Sequence, residues 1–320
     1  MTPGRSCPLN YRYSPSVFSR DADFAAETLY IVGGLYGNRA ALITILDLAA
    51  REPISPTIVF NGDFNWFDIA DETFININDQ VLQHIALRGN VETELAATAD
   101  DAGCGCAYPD EVSDAEVERS NEIMRRLRQT AARHTALRDR LTALPMHAVA
   151  SVGGVRIGIV HGDAESLAGW RFAHHSLDNA VNQRWLSDIC TDARLAGFAS
   201  SHTCLPAMRR INAAGRKGFI VNNGAAGMPN FAYTDYGLIT RISRHVVAEG
   251  LSQYGMVESG LFIDALPVHY DVRKFEAEFL ANWPAQSAAH LSYFNRISNG
   301  PNFSSPQALG LVKSGDLACV

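Results

Sequence analysis

Short apolar, β-branched runs that stop at a glycine and a polar residue recur along this 320-residue chain. Thr28 to Val32 reads as a buried strand running into Gly33-Gly34. Asn38 to Arg51 then carries Leu42, Ile45, Leu46 and Ala49 at helical spacing and ends before Pro53. Thr57 to Phe60 is the next strand, and Asp79 to Ala86 leads into a third that ends at Gly89-Asn90. Strand, glycine turn, helix and strand in this order favour a mixed or parallel sheet covered by helices.

From Glu92 to about Leu144 the pattern changes. Ser113, followed three residues later by Glu116, marks the start of a long helix. Val117, Met124, Leu127, Ala131, Leu137, Leu141 and Leu144 form one apolar stripe, with Glu118, Arg125, Arg128 and Arg133 on other faces. We read residues 93–146 as a helical cap inserted in a single domain spanning 1–320. Ala148 to Val152 and Val155 to Val160, joined by Gly153-Gly154, form a hairpin. A helical, aromatic-containing region around Trp170 and Trp185 follows, then strands at Ala196 to Ser200 and Phe219 to Val221. Gly237 to Ile242 and Leu261 to Val268 read as edge strands of a second sheet, and residues 283–320 as a tail wrapping the surface.

Composition narrows the function. A net charge of -7 and no Lys/Arg cluster argue against a nucleic-acid polymer as partner. No apolar run is long enough to span a bilayer, and Met1 to Arg20 lacks the apolar segment of a signal peptide, so neither membrane association nor export is expected. Six cysteines in so long a chain fit reduced thiols and a cytoplasmic location. The oligomeric state is left open.

Candidate chemistry sits at the strand ends. Five blocks share the order of strand, small residue and polar side chain: Gly33-Gly34-Leu35-Tyr36-Gly37-Asn38, Asn61-Gly62-Asp63, Arg88-Gly89-Asn90-Val91-Glu92, Val160-His161-Gly162-Asp163 and Ser201-His202-Thr203-Cys204. Singly, each has an ordinary explanation as a turn, a helix cap or a hydrogen-bonded histidine. Their shared placement at the carboxyl edge of a sheet, where open α/β folds build sites, points to a metal or phosphate site.

In this order the blocks resemble the calcineurin-like metallophosphoesterase family, whose motifs run D-x-H-G-N, G-D, G-N-H-D/E, H-G and G-H-x-H. The resemblance spans roughly residues 29–244. It implies a mixed α/β fold, a four-layer αββα sandwich with ligands on the loops at one edge. It also implies that one metal set has been lost, because the D-x-H positions hold Gly34 and Tyr36 and the last histidine position holds Cys204. The other set aligns residue by residue with Asp63, Asn90, His161 and His202. The histidine that often protonates the leaving group is replaced by Val91.

One carboxylate, one amide oxygen and two imidazoles suit a divalent Mn, Fe, Co, Ni or Zn ion, with one ion expected rather than two. The expected activity is metal-dependent hydrolysis of a small phosphomonoester or phosphodiester, with Asp63, Asn90 and His161 at the reaction centre and Asp163 orienting the attacking water. Asn38, Arg88 and Arg171, with Arg39 beside them, are candidates to hold the phosphate. A rebuilt second site is the alternative, drawing on Cys204, Tyr36 as a phenolate, and the Cys104-Gly105-Cys106 loop with Asp100 or Asp101; otherwise those cysteines pack the cap. Trp66, Phe67, Tyr108, Trp170 and Phe172 are candidates to wall a pocket. The competing functional expectation is a catalytically silent relative that binds a phosphorylated ligand or partner.

Overall fold

The computed structural model describes residues 2–97, 102–213 and 215–312. The first half of the chain lays down β1 (Phe24–Ala26), β2 (Thr28–Val32), α1 (Arg39–Ala50), β3 (Thr57–Asn61), α2 (Asp71–Val81), β4 (Ile85–Leu87) and α3 (Asn90–Ala96). Helices α4 (Asp114–Ala132) and α5 (Thr135–Thr142) follow, then the hairpin β5 (His147–Val152) and β6 (Val155–Val160), α6 (Ala180–Asp192) and β7 (Gly197–Ser200). The remainder comprises β8 (Ala207–Ala213), β9 (Arg216–Asn222), β10 (Gly237–Ser243), β11 (Tyr254–Glu258), β12 (Leu261–Val268), α7 (Val272–Asn282), α8 (Ala288–Asn299) and α9 (Ser305–Ala308).

Two six-stranded sheets result, ordered β1-β5-β6-β7-β9-β8 and β11-β12-β10-β2-β3-β4. In the first, β6, β7 and β9 are parallel neighbours; in the second, β2, β3 and β4 are. Side-chain alternation along each strand decides the layering. Leu29, Ile31 and Val59 point between the sheets and meet Ile157, Ile159 and Val221 from the other side. Tyr30, Val32 and Phe60 point the opposite way, into α1, α2, α4, α7 and α8. Val160, Phe198 and Ile220 face α6. Both faces of both sheets are therefore covered, so the strands read as continuous apolar runs. Each fully buried Ile or Leu here contributes about 1.5–3 kcal/mol. The four-layer expectation holds.

Several expectations are corrected. β10 and β12 are interior strands, not edges: β10 lies between β2 and β12, all seven of its residues are buried, and β11 takes the edge. The expected surface tail is instead part of the core from Trp283, which is fully buried and donates its Nε1–H to Phe67 O at 3.0 Å, to Ile297 on α8. Ser113 and Glu116 do cap each other, but the single long helix breaks at His134 into α4 and α5. Helix α2 escaped notice because Ile75-Asn76-Ile77-Asn78 alternates like a strand, although Phe74, Ile77, Asn78 and Val81 make its buried face. No helix among the described residues is long and apolar enough to cross a membrane. The expectation of reduced thiols fails for Cys104 and Cys106, which form a disulfide with Cα atoms 5.4 Å apart.

Candidate metal centre

The parallel trios β2-β3-β4 and β6-β7-β9 end on the same rim of the sandwich, where a seam of hydrogen bonds joins them. Asn61 Nδ2 donates to Val160 O at 2.7 Å, Ser201 Oγ donates to Asn61 O at 2.8 Å, and Ser201 and His202 both donate their backbone N–H to His161 O. The loops after β3, β4, β6 and β7 thereby deliver Asp63, Asn90, His161 and His202 to one point. All four are buried.

His161 Nε2 lies 3.2 Å from Asp63 Oδ2, 3.2 Å from Asn90 Oδ1 and 3.2 Å from His202 Nδ1. The ligand atoms of Asp63, His161 and His202 all fall within 4.8 Å of one another. The outward-facing atoms decide where the protons are. His161 Nδ1 sits 2.9 Å from Asn61 O and His202 Nε2 sits 3.1 Å from Cys106 O. A carbonyl only accepts, so both of these nitrogens carry hydrogen and the inward nitrogens are left with lone pairs. Asn90 Nδ2 donates to Cys104 O at 3.0 Å, which turns its oxygen inward as well. Four electron-pair donors therefore converge on one another with no neutral donor between them.

That arrangement asks for a cation. Donor atoms bound about 2.0–2.2 Å from a single ion lie about 3–3.5 Å apart, and the spacings above fit. Without an ion, a proton answers the need. Burial opposes charge on His161, but the Asp63 carboxylate beside it prevails and lifts its pKa above the ordinary value. Asp63 is affected in mirror image, burial pushing up and His161 pulling its pKa below the usual carboxylate range. Burial and then the charge of His161 push His202 down to about 3, leaving it a neutral acceptor.

Glu92 holds this constellation together, and the sequence reading gave it no role. Its buried carboxylate accepts the backbone N–H groups of Asp63 at 2.8 Å, Gly89 at 2.9 Å, Phe64 at 3.1 Å and Asn65 at 3.2 Å. Two ligand-bearing loops are thus pinned by one side chain. The pinning matters because Asp63 adopts φ 53°, a left-handed conformation that a non-glycine residue keeps only when its surroundings enforce it. Burial and then Asp63 raise the Glu92 pKa to about 7. The Gly89-x-x-Glu92 spacing, which lets a carboxylate in the first turn of α3 reach back to the N-cap N–H, was the available signal. Gly89 is required by proximity: a Cβ there would collide with Asp63 Oδ1.

The other half of the rim is occupied differently. Tyr36 Oη lies 3.1 Å from Cys204 Sγ, and both are buried or nearly so. Burial, then the nearby thiol and Asp63, hold the Tyr36 hydroxyl well above its ordinary pKa. Cys204 stands outside the cluster of candidate ligands, and Cys104 and Cys106 have no thiolate to offer while paired. Asp100 and Asp101 lie outside the described residues. Behind Cys204, buried Arg296 of α8 donates to Cys204 O at 2.8 Å and to Pro229 O at 3.2 Å.

The candidates for holding phosphate and orienting water are not brought to this point. Asp163 accepts from the backbone N–H groups of Glu165, Ser166 and Arg171 and so braces its own loop. Asn38 is the N-cap of α1, accepting from Ala41 N and donating to Gly227 O. Arg88 reaches Thr142 O on α5, and Arg171 pairs with Glu165 and lies over Trp185. Arg39 pairs with Glu72 on the surface. Asp163 is thus a turn carboxylate and Asn38 a helix cap.

A cavity of about 30 Å³ adjoins the cluster, room for at least one water molecule. Asp63, Asn90 and His202 line it together with Tyr36 and Cys204; Trp66, Tyr108 and Trp170 line it as expected, with Tyr293 of α8 added by the C-terminal helices. Phe67 and Phe172 belong to the core.

The sequence matches the family model for calcineurin-like phosphoesterase over residues 28–235. No curated protein matches the sequence. Among solved structures, the fold is similar to a metallophosphoesterase from Sphaerobacter thermophilus, at TM-score 0.55 and 15% identity, covering 86% of this chain and 100% of that one. It is similar to the same degree to a hypothetical protein from Pyrococcus horikoshii OT3, at TM-score 0.55 and 15% identity, covering 87% and 100%. The family match takes in all five strand-end blocks, and with it the chain belongs to the calcineurin-like phosphoesterases.

Proposed function

We propose that this protein is a metal-dependent phosphoric ester hydrolase with a single-cation site formed by Asp63, Asn90, His161 and His202. The observation that carries the reading is the convergence of four electron-pair donors, each turned inward by a hydrogen bond on its far side or by the backbone around it. Divalent Mn, Fe, Co, Ni or Zn fits this donor set. Such an ion supplies Lewis acidity towards a phosphoryl oxygen and acidifies water.

The chain's own contributions follow from the contacts. Glu92 fixes the loops carrying Asp63 and Asn90. Asp63 brings the negative charge that balances the cation, and His161 and His202 present neutral nitrogens to it. Trp66, Trp170 and Tyr293 exclude water and offer flat surfaces to a small ester. With Val91 where a proton donor would stand and no second ion to share the charge, the reading favours a substrate with a good leaving group.

The lining of the cavity supports a second reading, a relative that keeps the ion and has lost catalysis, because no arginine or lysine among the described residues lines it to hold a phosphoryl group. Metal content of protein purified without chelator, together with turnover of bis(p-nitrophenyl) phosphate, separates the two. One equivalent of metal with metal-dependent turnover upholds the hydrolase. Metal without turnover, on this ester and on a panel of phosphomonoesters, upholds the silent relative. An Asp63→Asn variant with full metal occupancy would sink both.

A further inference from the structure

The disulfide between Cys104 and Cys106 enters none of the chemistry above, yet the two residues it joins touch two of the four cation ligands. The carbonyl of Cys104 accepts Asn90 Nδ2–H at 3.0 Å, and the carbonyl of Cys106 accepts His202 Nε2–H at 3.1 Å. These two bonds are what turn Asn90 Oδ1 and His202 Nδ1 towards the ion position. The same Cys106 carbonyl takes Trp170 Nε1–H at 3.1 Å, tying in the aromatic wall. Cys104 N–H is anchored in turn on Asn121 Oδ1 of α4 at 2.9 Å. The two orienting carbonyls therefore belong to the two residues joined by the disulfide, with Gly105 between them at φ 68°. A glycine-centred tripeptide is freely rotatable; the S–S bond closes it into a small ring and fixes one carbonyl relative to the other.

We propose that this disulfide is a redox-sensitive support of the cation site: closed, it aims Asn90 and His202; open, it releases them. The inference rests on the metal-site reading above. Opening requires a dithiol reductant. Its thiolate attacks one sulfur, the S–S bond breaks, and a mixed disulfide forms that the reductant's second thiol resolves. Two electrons and two protons end on Cys104 and Cys106 as thiols, and the reductant leaves as its own disulfide. Cys106 lines the cavity, whereas Cys104 is fully buried, so Cys106 Sγ is the less shielded sulfur and the one we assign as the point of attack.

The test is a Mn²⁺ titration of the full chain in three states: oxidised, reduced with dithiothreitol and desalted under nitrogen, and as the Cys104→Ser/Cys106→Ser variant. Mn²⁺ is chosen because it has little affinity for thiolates, so newly freed sulfurs do not become ligands. Loss of outer support typically weakens metal binding about 10–100-fold. We expect that loss on reduction, with a gain of two free thiols, and in the double variant, whose affinity no longer responds to dithiothreitol. Dissociation constants within about twofold in the oxidised and reduced wild-type protein would overturn the proposal, as would a thiol count that dithiothreitol leaves unchanged. If the variant does not fold, the wild-type pair decides. Absence of Mn²⁺ binding in every state would instead remove the metal site itself.

Discussion

The two halves of the strand-end rim start from the same backbone and end in opposite chemistry. After β3, β4, β6 and β7 the loops deliver four inward-facing electron pairs; after β2 and at position 204 they deliver Gly34, a neutral phenol and a thiol bonded to each other. Backbone strain is common to both halves: Asp63, Tyr36 and Cys204 all take positive φ, at 53°, 55° and 59°. The same left-handed conformation thus carries a candidate ligand in one half and a phenol or thiol in the other. Rim geometry is set by the sheets and by Glu92, and side-chain identity alone determines whether a position carries charge or closes the pocket.

The largest effects are expected where the donor set is cut. His202→Ala or Asp63→Asn is expected to lower metal affinity on the order of 100-fold or more, beyond the loss caused by outer-support changes, as read by metal titration; a variant retaining wild-type affinity breaks the division between the halves. Glu92→Leu leaves four backbone N–H groups without their acceptor, at about 1–3 kcal/mol each when buried and unmet. Its urea midpoint is expected to fall steeply, with metal binding lost alongside.

Asp68 sharpens the comparison from the closed half. Its carboxyl packs under Gly37, accepts Trp66 N–H at 2.8 Å with one oxygen, leaves the other without a partner, and is pushed by burial to about 7. A raised carboxyl pKa means that the folded state holds the proton more tightly than the unfolded one. Its cost to stability is therefore absent below the ordinary carboxylate pKa and grows as pH rises to about 7. Asp68→Asn is expected to stabilise the protein at pH 8, by on the order of 1–4 kcal/mol, and to change little at pH 4, measured by urea denaturation at both. Equal effects at the two pH values would remove the buried-charge account. The smallest effect belongs to Tyr36→Phe, which breaks only the contact with Cys204. It is expected to cost about 1 kcal/mol or less and to leave metal affinity unchanged; a weakened metal site would return Tyr36 to the ligand set.

Hydrophobic patterning carried the strands that matter here, because β2, β3, β6 and β7 are covered on both faces and announce themselves as apolar runs ended by glycine. It failed for β8, whose Arg209-Arg210 pair suits an edge strand bonded only to β9, and for α2, where alternating Ile and Asn imitate a strand. The donors Asp63, Asn90, His161 and His202 were legible because each lies within three residues of the end of its strand. The phosphate-holding candidates were not, since an arginine's reach of several bonds lets Arg88 turn to α5 and Arg171 to Glu165.

By itself the sequence determined the strand-end blocks and their order, which depend on residue type and local spacing, and through their resemblance to a family it implied the sandwich. Only the tertiary structure decided which atoms face inward. Asn61, Cys104 and Cys106 lie from 14 to 100 positions along the chain from the ligands they orient. A hydrogen bond of about 3 Å between residues so far apart in sequence exists only once the sheets and the cap have packed.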